Sequence, residues 1–153
     1  MVKNIFGAAL VAFALVGGLV SSPVQADDGS THHVVFHVDD NDAGKMNLAL
    51  NNAANVTKHY AGKGEAVQIE IVAYGPGLHM LRADTSPVKD RLKDYAPSFP
   101  NVTFAACGNT LAAMTKKEGQ APALIESDSI SVVPSGVVQI IMRQDQNWHY
   151  IRP

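Results

Sequence analysis

The chain has very little cysteine: Cys107 is the only one in 153 residues. It cannot close a disulfide within its own chain, and without a CxxC pair a dithiol oxidoreductase working inside one chain is excluded. Three fates remain for such a thiol: buried as an inert small hydrophobe, paired with another chain, or free and reactive. Basic residues are also sparse, with 12 Lys and Arg against 14 Asp and Glu and a net charge of −2. Lys116-Lys117 is the one adjacent basic pair, so no patch exists for a phosphate backbone and no nucleic-acid partner is expected. No P-loop, GxGxxG, nucleophile elbow or flavin-phosphate signature is present. There is no internal repeat and no low-complexity stretch.

One long hydrophobic run does occur, and it lies at the N-terminus. Lys3 precedes the apolar residues 5–20, Ser21-Ser22-Pro23 break the run, and Val24 and Ala26 supply the small residues of a cleavage site before Asp27-Asp28. This order predicts a secretory signal peptide over 1–26, removed to leave a periplasmic chain of one domain, 27–153, with no remaining membrane association. The run is short for a membrane span. A lipoprotein anchor would need a cysteine at the cleavage point, where there is none, and no twin-arginine pair is found.

Beyond Asp27 the pattern alternates strand with helix. His32–Val38, Ala66–Tyr74, Val102–Ala106, Ile130–Val133 and Trp148–Ile151 are short apolar or β-branched runs and predict strands. Helices are expected over 42–61, capped by Asp40 or Asn41, over 87–95 between Pro87 and Pro97, over 110–117, and from Pro134-Ser135-Gly136 to about Asp145. A short helix can also begin at Leu78. Repeated βα units predict an α/β fold, a parallel five-stranded sheet with helices on both faces.

Ligands of such sheets bind beyond the carboxyl ends of the strands. Four turns fall on that edge: Asp39-Asp40-Asn41, Gly75-Pro76-Gly77, Cys107-Gly108-Asn109 and Pro134-Ser135-Gly136. Gly75, Gly77, Gly108 and Gly136 leave room for backbone to approach a ligand, and Asn109 or Thr110 can cap the helix that follows Cys107. A cysteine at a helix start faces free N–H groups and the positive end of the helix dipole, which favour the thiolate. The same position also suits a buried apolar cysteine, and the residues alone leave both open. His79, just past the second turn, is the candidate proton acceptor for Cys107, against the alternative of a loop histidine. Arg152, after the last strand, can reach this edge. His33 and His37 share a strand face but lie about 13 Å apart, too far for one ion, so no metal and no cofactor is expected. Asp39, Asp40 and Asp42 read as a strand stop and helix cap.

The stretch Phe104-Ala105-Ala106-Cys107-Gly108-Asn109-Thr110-Leu111 resembles the cysteine motif of the DsrE/DsrF-like sulfur-relay family. Ala73-Tyr74-Gly75-Pro76-Gly77-Leu78, Val133-Pro134-Ser135-Gly136-Val137 and the terminal Tyr150-Ile151-Arg152-Pro153 are similar to its second turn, last βα unit and last strand. The resemblance spans nearly all of 32–153. It implies a flavodoxin-like three-layer fold, homo-oligomers (commonly trimers or hexamers), and a motif cysteine, here Cys107, that carries sulfane sulfur as a persulfide between a donor and an acceptor protein. Whether the chain is then a sulfurtransferase or a carrier is left open. The alternative is a non-catalytic oligomeric binding or assembly module whose cysteine is buried.

Overall fold

The computed structural model of the protein describes residues 31–153; the signal-peptide reading of 1–26 lies outside the described residues. The elements follow in the order β1 (His32–Val38), α1 (Ala43–Ala61), β2 (Val67–Ala73), a 3₁₀ segment (Gly75–Leu81), α2 (Lys89–Ser98), β3 (Val102–Cys107), α3 (Gly108–Glu118), β4 (Ile130–Val133), α4 (Gly136–Asp145) and β5 (His149–Ile151). All strand pairs are parallel, in the order β4-β3-β2-β1-β5.

This order fixes the layers. From β1 to β4 the chain steps the same way across the sheet, so right-handed crossovers put α1, the 3₁₀ segment, α2 and α3 on one face. The return from β4 to β5 runs the opposite way, and α4 therefore crosses the other face. The result is a flavodoxin-like α/β fold with unequal layers. The larger core holds Val34, Phe36, Ile69, Ile71 and Phe104 from the strands against Met46, Leu50, Leu78, Leu81 and Leu92. The smaller holds Val35, Val72 and Ala105 under Ile140 of α4, with Tyr74, Val133 and Trp148 around them.

Two boundaries differ from expectation for local reasons. Asp42, rather than Asp40 or Asn41, caps α1: it has extended backbone and its carboxylate accepts from the Lys45 N–H at 2.7 Å. Asp40 instead pairs with the Lys45 ammonium. The second difference is that α2 continues past Pro97 to Ser98. Its last turn is held by Phe99 N–H donating to the Tyr95 carbonyl and by the Ser98 hydroxyl donating to Asp94.

Helix α4 is held on its face by a buried carboxylate. Glu70, on β2, is 4% exposed. It accepts from Arg143 Nε and Nη2 at 2.8 and 3.0 Å, and both of its oxygens accept from Gln139 Nε2, at 2.9 and 3.0 Å. The Arg143 guanidinium also lies 4.5 Å from the Trp148 ring centre. Of the five large apolar residues of this helix, only Ile140 is buried; Val137, Val138, Ile141 and Met142 stay about half exposed.

Candidate functional site

The carboxyl ends of β3 and β4 lie side by side, Cys107 opposite Val133, and their following helices leave to opposite faces. That divergence is the topological switch point at which an open α/β sheet forms its crevice. Cys107 occupies it, as the last residue of β3 and the N-cap of α3.

Cys107 is buried, with 4% of its surface exposed. Burial pushes the thiol up, but the Thr110 hydroxyl and the backbone N–H groups of Gly136, Thr110 and Asn109 face the sulfur and outweigh it, so its pKa lies below the ordinary thiol range. Thr110 is held for this task. Its Oγ1 accepts from the Gly75 N–H at 2.9 Å, which leaves the hydroxyl proton to donate. The sulfur thus collects donors from two turns of the sheet edge, and a third, at Gly75, holds the Thr110 hydroxyl.

The glycines at this edge make close approach to the protein itself rather than to open space for a ligand. A Cβ on Gly77 would stand 2.2 Å from the Val38 carbonyl oxygen. One on Gly108 would stand 3.0 Å from the Val133 oxygen, and one on Gly136 would stand 3.0 Å from Tyr74 and 3.3 Å from Cys107 Cβ. Packing of neighbouring βα turns, not ligand contact, fills these spaces. Of these four edge glycines, Gly75 has a left-handed backbone, φ +53. Asn109 is exposed, and its N–H is shared between Cys107 and the Pro134 carbonyl at 3.2 Å.

His79 is not brought to Cys107. Its Nδ1 is hydrogen-bonded to Thr85 Oγ1 at 2.7 Å, and the side chain lies toward Glu118 at the far end of α3. An eleven-residue helix is about 16 Å long, which separates that end from Cys107. The 3₁₀ segment carries His79 toward the buried Arg82, whose guanidinium is clasped by Asp84 and Glu118.

Of the two strand histidines on the same face of the sheet as Cys107, the one at the carboxyl end is His37. Its ring stacks on Tyr74, centroids 4.7 Å apart, and its Nδ1 is hydrogen-bonded to the Tyr150 hydroxyl at 2.7 Å. Tyr74 in turn packs against Gly136, beside Cys107. Asp39 lies 3.5 Å from His37 Nε2 and is paired with Arg152 at 2.8 Å, so Arg152 does reach this edge, engaged with a carboxylate. Sequence reasoning weighed His37 only as a metal ligand. The structure sends the three histidines apart, His32 to Glu65 and Tyr60, His33 to Trp148. No group of three His, Cys, Asp or Glu suited to an ion is gathered among the described residues.

Burial lowers the His37 pKa, the Arg152 charge adds to this, and Asp39 and Asp40 oppose it incompletely. Folding therefore favours neutral His37. Its contribution to stability is complete above the ordinary value of 6.5 and is lost as pH falls through the lower folded value. Thermal melts from pH 8 to 5 should show a fall that is shallower in His37→Gln; parallel curves for the two proteins would contradict this.

The DsrE/DsrF-like family model matches residues 32–153. A solved structure of a protein of unknown function from Methanobacterium thermoautotrophicum is 34% identical, with 80% of this chain and 99% of that chain covered and a TM-score of 0.65. No curated protein matches. No helix among the described residues is long and apolar enough to cross a membrane.

Proposed function

The chain belongs to the DsrE/DsrF-like family, and from that premise we propose that it carries sulfane sulfur as a persulfide on Cys107, in the periplasm after removal of residues 1–26. The family points to sulfur relay in broad terms. The observation that supports the finer reading is the convergence of the Thr110 hydroxyl and three backbone N–H groups on a sulfur at the switch point of the sheet. These donors favour a thiolate, the form that attacks.

The step is a sulfur transfer with no net oxidant. The Cys107 thiolate attacks the terminal sulfur of a persulfide donor, a new S–S bond forms on Cys107 and the donor's S–S bond breaks. The donor leaves as a thiolate, and the proton of the transferred sulfur stays with it. The same donors that favoured the thiolate then face the persulfide. A second transfer to an acceptor thiol reverses the roles. A homo-oligomer is part of this reading: Val138 and Met142 lie on the side of α4 away from the buried Ile140 and are half exposed.

Incubating the mature protein with polysulfide and measuring its intact mass tests the proposal. One added sulfur atom is expected on wild type and none on Cys107→Ala. No addition to wild type, or equal addition to both, overturns it. The burial of Cys107 supports a second reading, an assembly module with a structural thiol, which predicts no addition until the chain is unfolded.

A further inference from the structure

Helix α4 is lightly seated on the sheet. Its buried residues are Ile140 and, at its start, Gly136. In its second half Gln139 and Arg143 grip the Glu70 carboxylate. Its first turn meets Tyr74, the residue that follows β2. A Cβ built on Gly136 would stand 3.0 Å from both Cβ and Cδ1 of Tyr74 and 3.3 Å from Cβ of Cys107. The Gly136 backbone is therefore wedged between the tyrosine and the cysteine, with room for no side chain of its own.

The tyrosine ring is itself held. In the strand order, β2 lies between β1, which ends at His37 and Val38, and β3, which ends at Cys107. His37 thus backs Tyr74 from the side away from the cysteine, ring on ring at 4.7 Å and 19° between planes. The Tyr150 hydroxyl fixes the imidazole in turn, at 2.7 Å from Nδ1. A row of packed groups therefore runs along the sheet edge from Tyr150 through His37, Tyr74 and Gly136 to Cys107. Its last link has a chemical consequence. Gly136 is the first residue of α4, so its N–H has no carbonyl partner within the helix and is free for the sulfur. A hydrogen bond weakens steeply as its angle opens, so a small tilt of this first turn is enough to lose it.

We propose that Tyr74 is a positioning residue of the sulfur site: its ring, held between His37 and Gly136, keeps the first N–H of α4 on the Cys107 sulfur. The inference rests on the sulfur-carrier reading for what the thiolate does, and on packing alone for how it is held. The ring is the working part, because Cβ, Cδ1 and the ring face make the contacts. Phenylalanine can therefore stand in for Tyr74, and alanine cannot. Without the ring, α4 keeps only Ile140 and the grip on Glu70, and its first turn is free to lift from Cys107.

The pH midpoint of Cys107 alkylation in the folded protein, followed by intact mass, tests this. A variant that merely opens the site changes the rate at every pH and leaves the midpoint in place. Loss of a donor to the thiolate moves the midpoint itself. Tyr74→Ala is expected to raise it by about one pH unit, a tenfold loss of thiolate and the scale of one hydrogen bond to a charged group. Tyr74→Phe is expected to keep the wild-type midpoint. Tyr74→Leu, which keeps apolar bulk without the flat ring, is expected to lose about threefold in thiolate and decides the matter where Tyr74→Ala does not fold. An unmoved midpoint in Tyr74→Ala, or in Tyr74→Leu where that variant decides, overturns the proposal. So does a midpoint in Tyr74→Phe as high as in the variant without the ring. Sulfur loading of wild type by polysulfide together with an unmoved midpoint sinks the role of Tyr74 and leaves the carrier. A raised midpoint with no loading of wild type sinks the carrier and leaves Tyr74 as the residue that holds the thiolate.

Discussion

Gly77→Ala is expected to cost about 3 kcal/mol or more, a large share of the 5–15 kcal/mol that holds a domain of this kind together. A methyl group at this position meets the Val38 oxygen at 2.2 Å, the Val38 carbonyl carbon at 2.6 Å and Asp39 Cα at 2.8 Å. All three are backbone atoms at the end of β1, so no side chain can swing away to relieve the clash. That Val38 oxygen already accepts from the Tyr74 N–H at 3.2 Å, and moving it disturbs the β1–β2 edge as well. Gly119→Ala supplies the contrast. It has open space around it and a left-handed backbone, φ +78, so it carries only the roughly 1–2 kcal/mol of that conformation. Urea denaturation of both variants checks the difference. Equal, small losses would mean that the 3₁₀ segment does not press on β1.

The second large effect concerns the Glu70–Arg143 pair. Arg143→Met leaves the buried Glu70 carboxylate with only the Gln139 amide, and breaking such a pair costs about 3–5 kcal/mol. Replacing both partners, Glu70→Met with Arg143→Met, is expected to recover most of the loss, because no charge is then stranded. Calorimetric melts check all three proteins. Since α4 carries the Gly136 N–H to Cys107, the single variant should also raise the pKa of the thiol.

The strands were legible in the sequence because each is a short β-branched or apolar run with a hard stop, Asp39 after β1 and Gly75 after β2. The place of Cys107 was legible for the same reason, since a residue between a strand and a helix start has one position in a parallel sheet. His37 was visible only as half of a histidine pair on one strand face. Its partner Tyr150 lies 113 residues away in sequence, and no local periodicity carries that contact. The one usable signal was its place at the carboxyl end of β1, next to Asp39. His79 misled for the opposite reason. Adjacency to a turn of the ligand edge suggested it, but the 3₁₀ segment turns it to Thr85 and the Arg82 cluster. The unequal layers also escaped local reading, because they follow from strand order, and strand order is set by long-range pairing.

Sulfur transfer through Cys107 requires it to form a thiolate in the folded protein. The rate of its alkylation by iodoacetamide, followed against pH by intact mass in native wild type and in Thr110→Val, tests it most directly. Native alkylation is expected with a midpoint below the ordinary thiol value of 9.0, moved upward in Thr110→Val by loss of the hydroxyl donor. A native protein that is alkylated only after unfolding, or a midpoint that Thr110→Val leaves unmoved, would contradict it.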